Sequence, residues 1–309
     1  MAVAIRKIRV GVIAPSYICL PFWAAEFTGC ATKRNLSFEF RTTGTTHGAT
    51  EGLLNGDFEI ALSAPEGAII NAMNGGPLRI ASGLINRPLL SLIAQKKFGS
   101  IASLKGARLG TTSMKEGTRF LIQEMLSMHG LQYPRDYDFA LAGNHIERWA
   151  KIQEGSLDAA IQLIPFNYIA EEAGFPNLGD VDDFIPDFAF AVIASHRDWL
   201  AANKEVAVDL FAALLEATDW IYENPTDAAN HLAQKMNSNP RHALRAVKDL
   251  FAGRNALPRD LKIRREAFDS VLRSMRLSED YPSDAKKSAE TAIDYAVLNE
   301  AATHVHLNR

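Results

Sequence analysis

The sequence predicts an α/β protein of two similar lobes with a ligand cleft between them, followed by a helical C-terminal region. Three observations point there. Residues 51–65 and 150–165 repeat one pattern: a helix end, a Gly, an acid three positions on, a small apolar run, a polar residue and a Pro. Aligned on their glycines, Gly56 matches Gly155, Glu59 matches Asp158, Ala61 matches Ala160 and Ser63 matches Gln162. A chain of 309 residues with 47% hydrophobic content is long enough for two domains, each with its own core. From Asp198 onward, helical periodicity replaces strand-like runs.

The elements follow in order. Residues 9–14 read as a strand ending at Pro15-Ser16-Tyr17, and a helix over about 22–29 leads to a second strand at 36–41. The hydroxyl-rich loop 42–48 opens a helix ending at Asn55. Gly56 stops that helix because glycine takes positive φ without steric cost. Strand 60–62 ends at Ser63, and a helix over 68–73 precedes the apolar strand Leu78–Ile85. Residues 89–95 continue as an extended run and are expected to carry the chain into the second lobe. There, strand 107–110 leads through Thr111-Thr112-Ser113 to a helix with apolar residues Phe120, Leu121, Met125, Leu126 and Met128, stopped by Gly130. Strand 137–141, the turn Gly143-Asn144-His145 and helix 146–153 precede the second copy of the repeat. Residues 188–194 are the expected return. Helices are expected over 206–222, 225–236, 240–251 and 283–300. The predicted lobes are therefore 1–92 with 193–309, and 93–192.

Composition excludes several functions. A formal net charge of −3 gives no electrostatic reason to bind nucleic acid. No apolar run of roughly 18 residues suggests membrane insertion. Two cysteines, Cys19 and Cys30, are too few for a disulfide framework, and a single bridge between them stays open. No P-loop, Gly-x-Ser-x-Gly elbow, zinc-protease motif or dinucleotide fingerprint occurs, and neither metal nor cofactor is expected. The N-terminus passes straight into a strand pattern with basic residues inside it. That predicts a cytoplasmic protein if the chain is complete and a periplasmic one if a leader was removed.

In an open α/β sheet, ligands sit beyond the carboxyl ends of the strands, which selects the candidate site residues. They are Ser16 and Tyr17, Thr46 and His47, Ser63, Thr112 and Ser113, Asn144 and His145, and Gln162, with Phe166 beside the last. Thr112 and Ser113 offer hydroxyls and backbone N–H groups at a helix start, a setting suited to an anion, although Ser113 and Glu116 also have capping-box spacing. Glu66 suits either a ligand amine or a helix cap. Arg87 suits either a ligand carboxylate or a hinge salt bridge. Tyr17 and Phe166 are candidate aromatic walls. Cys19 is either a cleft nucleophile or a core residue. The catalytic residue is unknown; if the protein is an enzyme, His47 is the first candidate for general acid or base and His145 the second.

The run 101–110, then Gly117-Thr118 and a helix ending Met128-His129-Gly130-Leu131, resembles type II periplasmic-binding-protein folds. More narrowly, together with Leu157-Asp158-Ala159-Ala160, Pro165 and the tail from Asp198 to Ala229, it resembles the nitrate/sulfonate/taurine and thiamine-pyrimidine-precursor group of solute-binding proteins. The likeness covers roughly residues 8–235. It implies two Rossmann-like lobes joined by two crossovers, closing like a hinge on a small organic anion or heteroaromatic compound without changing it. It also implies an ABC permease as partner if the protein is exported. The same fold serves cytoplasmic enzymes, so the alternative is a lyase, decarboxylase or desulfinase-like enzyme acting on a small aromatic acid. The similar desulfinase has a Cys after its first strand, as Cys19 is here.

Overall fold

A computed structural model of the chain describes residues 4–114, 117–251, 256–276, 281–285 and 287–307. Its strands are β1 (Arg6–Val12), β2 (Leu36–Thr42), β3 (Ile60–Ser63), β4 (Leu78–Ile85), β5 (Leu90–Ala94), β6 (Arg108–Thr111), β7 (Asp138–Leu141), β8 (Ala159–Leu163), β9 (Asn177–Asp180) and β10 (Ala191–His196). Its helices are α1 (Leu20–Phe27), α2 (Thr46–Asn55), α3 (Glu66–Met73), α4 (Thr118–Ser127), α5 (His145–Glu154), α6 (Phe166–Glu172) and α7 (Val181–Phe184). The C-terminal region adds α8 (Arg197–Ala202), α9 (Lys204–Glu223), α10 (Pro225–Met236), α11 (Pro240–Phe251), α12 (Arg265–Met275) and α13 (Ala296–Leu307).

The strands form two sheets, ordered β2-β1-β3-β10-β4 and β7-β6-β8-β5-β9. In the first, β1 is parallel to β2 and β3, while β10 is antiparallel to β3 and β4. In the second, β6 is parallel to β7 and β8, while β5 is antiparallel to β8 and β9. Each sheet thus runs second, first, third, crossing strand, last. Strands β3, β4, β5 and β8 are buried throughout, which is why they read as unbroken apolar runs.

The duplicated pattern has a physical basis in both sheets. Gly56 and Gly155 close α2 and α5 at φ 73° and 79°, a left-handed conformation that L side chains rarely adopt. The acid three residues on then clamps the first strand of its own sheet. The Glu59 carboxylate accepts from the Arg9 backbone N–H at 2.6 Å and from Arg9 Nε at 2.9 Å. Asp158 accepts from the Arg108 backbone N–H at 2.9 Å and pairs with Lys97 at 2.7 Å.

The chain passes between sheets just before β5 and just before β10. Each of those strands lies wholly in one sheet, so lobe boundaries at 92 and 192 would cut both. Asn86 joins the two passages. Its backbone N–H donates to Ala256 at 2.7 Å, and its carbonyl accepts from the Phe188 N–H at 3.1 Å and from Arg264 at 3.2 Å. Its side-chain Nδ2 donates to the Lys262 carbonyl at 2.8 Å, and Oδ1 accepts from the Arg264 N–H at 3.3 Å.

The C-terminal helices reach both lobes. Helices α9 and α13 pack together, and α9 also covers α1 on the first. Helix α11 meets α6 on the second: Tyr168 donates to Asp249, Arg245 lies 3.9 Å over the Tyr168 ring, and His242 faces Glu172 at 2.8 Å. Two expectations are corrected. A helix over 283–300 is replaced by a short turn at Ala289–Ala292 and by α13, which starts only at Ala296. Helix α12 was not expected, although Ala267, Phe268, Val271 and Met275 recur at helical spacing and are all buried. Cys19 and Cys30 are free and buried, so no bridge joins them.

Because each acid clamp serves a different sheet, Glu59→Ala and Asp158→Ala should each lower stability by about 1–2 kcal/mol in urea unfolding, with roughly additive effects in the double variant. An unchanged midpoint for either single variant would remove that acid from the framework.

Candidate functional site

A cavity of about 650 Å3, counted to its open mouth, lies at the seam of the two sheets. The first sheet contributes the ends of β1 and β3 and the start of α2: Val12, Ile13, Ala14, Ser16, Thr46, Leu62, Ser63 and Ala64. Facing them are the residue after β6, the starts of α4 and α5, and the end of β8: Thr112, Gly117, Thr118, Asn144, His145, Arg148 and Leu163. Ile18, Cys19, Phe190 and Ala191 complete the wall. The parallel strands of both sheets therefore aim their carboxyl ends, and the helix N-termini that follow, at one space.

Local capping fixes these positions. Thr45 caps α2 by accepting from the Gly48 N–H at 3.0 Å, which starts the helix at Thr46. Asn144 accepts from the Ile146 and Glu147 N–H groups at 2.9 and 3.3 Å, while Glu147 accepts from the Asn144 N–H at 2.7 Å. This capping box places His145 and Arg148 on the cavity side of α5.

The second lobe carries the charged chemistry. Arg148 is 1% exposed. It donates to the Ile161 carbonyl at 3.2 and 3.1 Å, to the Gly143 carbonyl at 3.0 Å, and to Thr112 Oγ1. Burial pulls its guanidinium down to about 10, against the opposing pull of Glu147. His145 is also buried, and its Nε2 has no partner among the described residues. Burial and then the Arg148 charge hold its imidazole near 3, although the Pro15 carbonyl of the first lobe favours the protonated form. The ring is neutral across the physiological range, and with its N–H directed at the Pro15 carbonyl the unpartnered Nε2 is left as an acceptor. Thr46 Oγ1 is likewise buried without a partner.

Of the expected site residues, Ser16, Thr46, Ser63, Thr112, Asn144 and His145 line the cavity. The others are placed elsewhere. His47 points to solvent with its side chain 74% exposed and pairs with Glu51 at 3.1 Å, because the helix begins one residue earlier and turns it outward. Tyr17 is buried outside the cavity lining, with a hydroxyl that has no partner among the described residues. Glu66 is buried and accepts from the Gly117 N–H at 3.1 Å, which makes it a contact between the lobes. Arg87 donates to the Asp249 carbonyl at 2.6 Å and pairs with Asp182 at 3.5 Å, so it braces the hinge. Ser113 is outside the lining; its carbonyl accepts from Thr111 Oγ1 at 2.9 Å, and Glu116 lies outside the described residues. Gln162 is fully buried, and the amide orientation that satisfies both its atoms donates to the His145 carbonyl at 3.0 Å and accepts from the Trp149 N–H at 3.3 Å, tying β8 to α5. Phe166 packs against the His145 ring, with centroids 5.0 Å apart, rather than lining the cavity.

Arg148 and Phe190 are cavity residues that the sequence reading missed. The spacing held a signal for the first, since Arg148 lies four residues after Asn144 and shares its helix face. Cys19 does reach the wall, but burial pushes its thiol up to about 12, which argues against a nucleophilic thiolate.

A family model described as NMT1/THI5 like matches residues 20–228. No curated protein sequence matches. Among solved structures, a protein of Bordetella bronchiseptica RB50 is 19% identical, with a TM-score of 0.80 over 96% of this chain and 97% of that one. The periplasmic nitrate-binding protein NrtA from Synechocystis PCC 6803 is 14% identical, with a TM-score of 0.80 over 97% and 89%. The alkanesulfonate-binding protein SsuA from Xanthomonas axonopodis pv. citri, bound to MOPS, is 14% identical, with a TM-score of 0.71 over 95% and 99%. At these identities the likeness is one of fold: two α/β lobes in the type II periplasmic-binding arrangement.

The buried neutral His145 makes stability depend on pH. Its folded value lies below the usual 6.5, so the unfolded chain binds the proton first; stability is full above about 6.5 and falls as pH drops toward 3. Between pH 7 and 5, the wild type should lose about 2 kcal/mol more than His145→Gln in parallel denaturation curves. Parallel pH profiles for the two proteins would mean that His145 is accessible to protons in the folded state.

Proposed function

The chain belongs to the NMT1/THI5-like family, and from that premise we propose that it is a solute-binding protein that closes its two lobes on a small organic anion or heteroaromatic compound and releases it unchanged. The observation that carries this reading is the cavity itself, walled by strand ends and helix starts of both sheets. A ligand there touches both lobes, so its binding energy favours the closed state over the open one. Sheet membership supports a division in which β5–β9 form one moving unit and the remaining strands the other.

The solved structure described as a periplasmic nitrate-binding protein supports a periplasmic place for this chain and a permease as recipient of its ligand. Among the described residues, no helix is long and apolar enough to cross a membrane. A second reading, an enzyme on the same fold, draws on one feature: an unpartnered, neutral histidine in the cavity wall. On that reading, the general acid or base is His145 rather than His47.

A thermal-shift screen of small organic acids and heteroaromatic compounds tests the first reading. A ligand at about 100 times its Kd stabilises by roughly 2.7 kcal/mol. Small-angle scattering should show compaction on binding, mass analysis should recover the compound unchanged, and Ser63→Trp should abolish the shift while His47→Ala leaves it intact. Recovery of a converted compound, with turnover cut at least ~100-fold by His145→Ala, would instead establish the enzyme.

A further inference from the structure

The cavity contains a buried charge whose four hydrogen bonds all go to neutral groups. Arg148 gives them to two carbonyls and a hydroxyl, and a guanidinium can donate five. No ion pair to it occurs among the described residues. The acid that influences it, Glu147, is exposed and spends its carboxylate on the Asn144 N–H. The first turn of α5 adds positive potential of its own to the same spot. Burying a cation without a counter-charge costs several kcal/mol, a cost that an arriving anion would recover.

The helix start next to Arg148 in the second lobe is taken. The Gly117 N–H at the start of α4 already donates to the Glu66 carboxylate, so a ligand anion would have to displace a protein anion there. Beside Arg148, His145 Nε2 is a buried polar atom without a partner, and Thr46 Oγ1 is another from the opposite lobe. Ser16, Ser63, Thr112, Thr118 and Asn144 add uncharged polar groups, and the remainder of the wall is apolar, with Ile13, Ile18, Leu62 and Phe190 prominent.

On the reading of the cleft just given, we propose that Arg148 is its charge-selecting residue and that the ligand it selects is a singly charged organic anion with an apolar body. The anionic group sits on the guanidinium, a second polar atom meets His145 or Thr46, and the body lies along the aliphatic wall. Among the described residues Arg148 is the one cation lining the cleft, so a second negative charge on the ligand would meet no other there and would lie across the cleft from Glu66.

Calorimetric titration of the full chain with hexanoate, benzoate, hexanamide, hexylamine and hexyl phosphate tests this. Hexanoate or benzoate should bind the wild type, with hexanamide, hexylamine and hexyl phosphate at least tenfold weaker than that acid. Arg148→Gln should weaken the acid at least tenfold without changing hexanamide, and Arg148→Lys should fall between. Should Arg148→Gln fail to fold, the charge series on the wild type decides alone. The proposal is overturned if hexanamide or hexylamine binds the wild type as tightly as the acids, if hexyl phosphate binds more tightly, or if neither acid binds. Tight hexanamide binding that Ser63→Trp abolishes would overturn charge selection and leave the cleft reading standing. Arg148-dependent acid binding without compaction in scattering would do the reverse.

Discussion

Asn86 lies where the chain leaves the first sheet, and each of its four polar atoms is spent on holding that place. It joins the outgoing passage to the returning one at Phe188 and both to the segment from Ala256 to Arg264. The residue is fully buried, so losing any of these bonds would leave a desolvated group unpaired. Everything at the cleft depends on this joint. It fixes where β10 enters the first sheet and β5 the second, and hence how the strand ends of the two sheets face each other. Arg87, the next residue, extends the same brace to Asp182 and α11.

Across the cleft the two lobes contribute different chemistry. The first supplies hydroxyls and aliphatic wall, and the second supplies the guanidinium, the imidazole and two helix starts. The depressed values of Arg148 and His145 share one origin, since each is desolvated and each lies in the other's field or that of α5. Glu66 reaches from the first lobe to the start of α4 on the second and supplies the opposite sign. The lobes are thus held in register by a protein carboxylate at one point and divided by a positively biased cavity at another.

The framework was legible in the sequence because its signals are local. A glycine at positive φ, an acid at the strand start and a short apolar run need no partner to be recognised, and they located α2–β3 and α5–β8 correctly. Strand ends were legible for the same reason, which is how Ser16, Thr46, Ser63, Thr112, Asn144 and His145 were found. What failed depends on distances in space. His47 was lost because Thr45 caps α2 and puts His47 in its first turn, within what reads as a loop over 42–48. Gln162 matches Ser63 in the repeat, but its longer side chain reaches the α5 backbone instead of the cleft. Arg148 was missed because the Ile161 and Gly143 carbonyls that bury this helix cation are brought close only by the fold. Helix α12 was hidden by charged residues that leave its apolar stripe discontinuous to the eye.

The placement of the two crossing strands also gives the lobes different histories during synthesis. All five strands of the second sheet lie between Leu90 and Asp180, in one uninterrupted stretch of chain. The first sheet has four strands complete by Ile85 but lacks its fourth-position strand until β10 emerges, some hundred residues later. Until then β3 and β4 are unpaired edges, each buried along its whole length in the finished molecule. A growing chain therefore completes its second sheet first, and the sheet begun earliest is the one that waits, with exposed apolar strands, for the ribosome to deliver the piece that closes it.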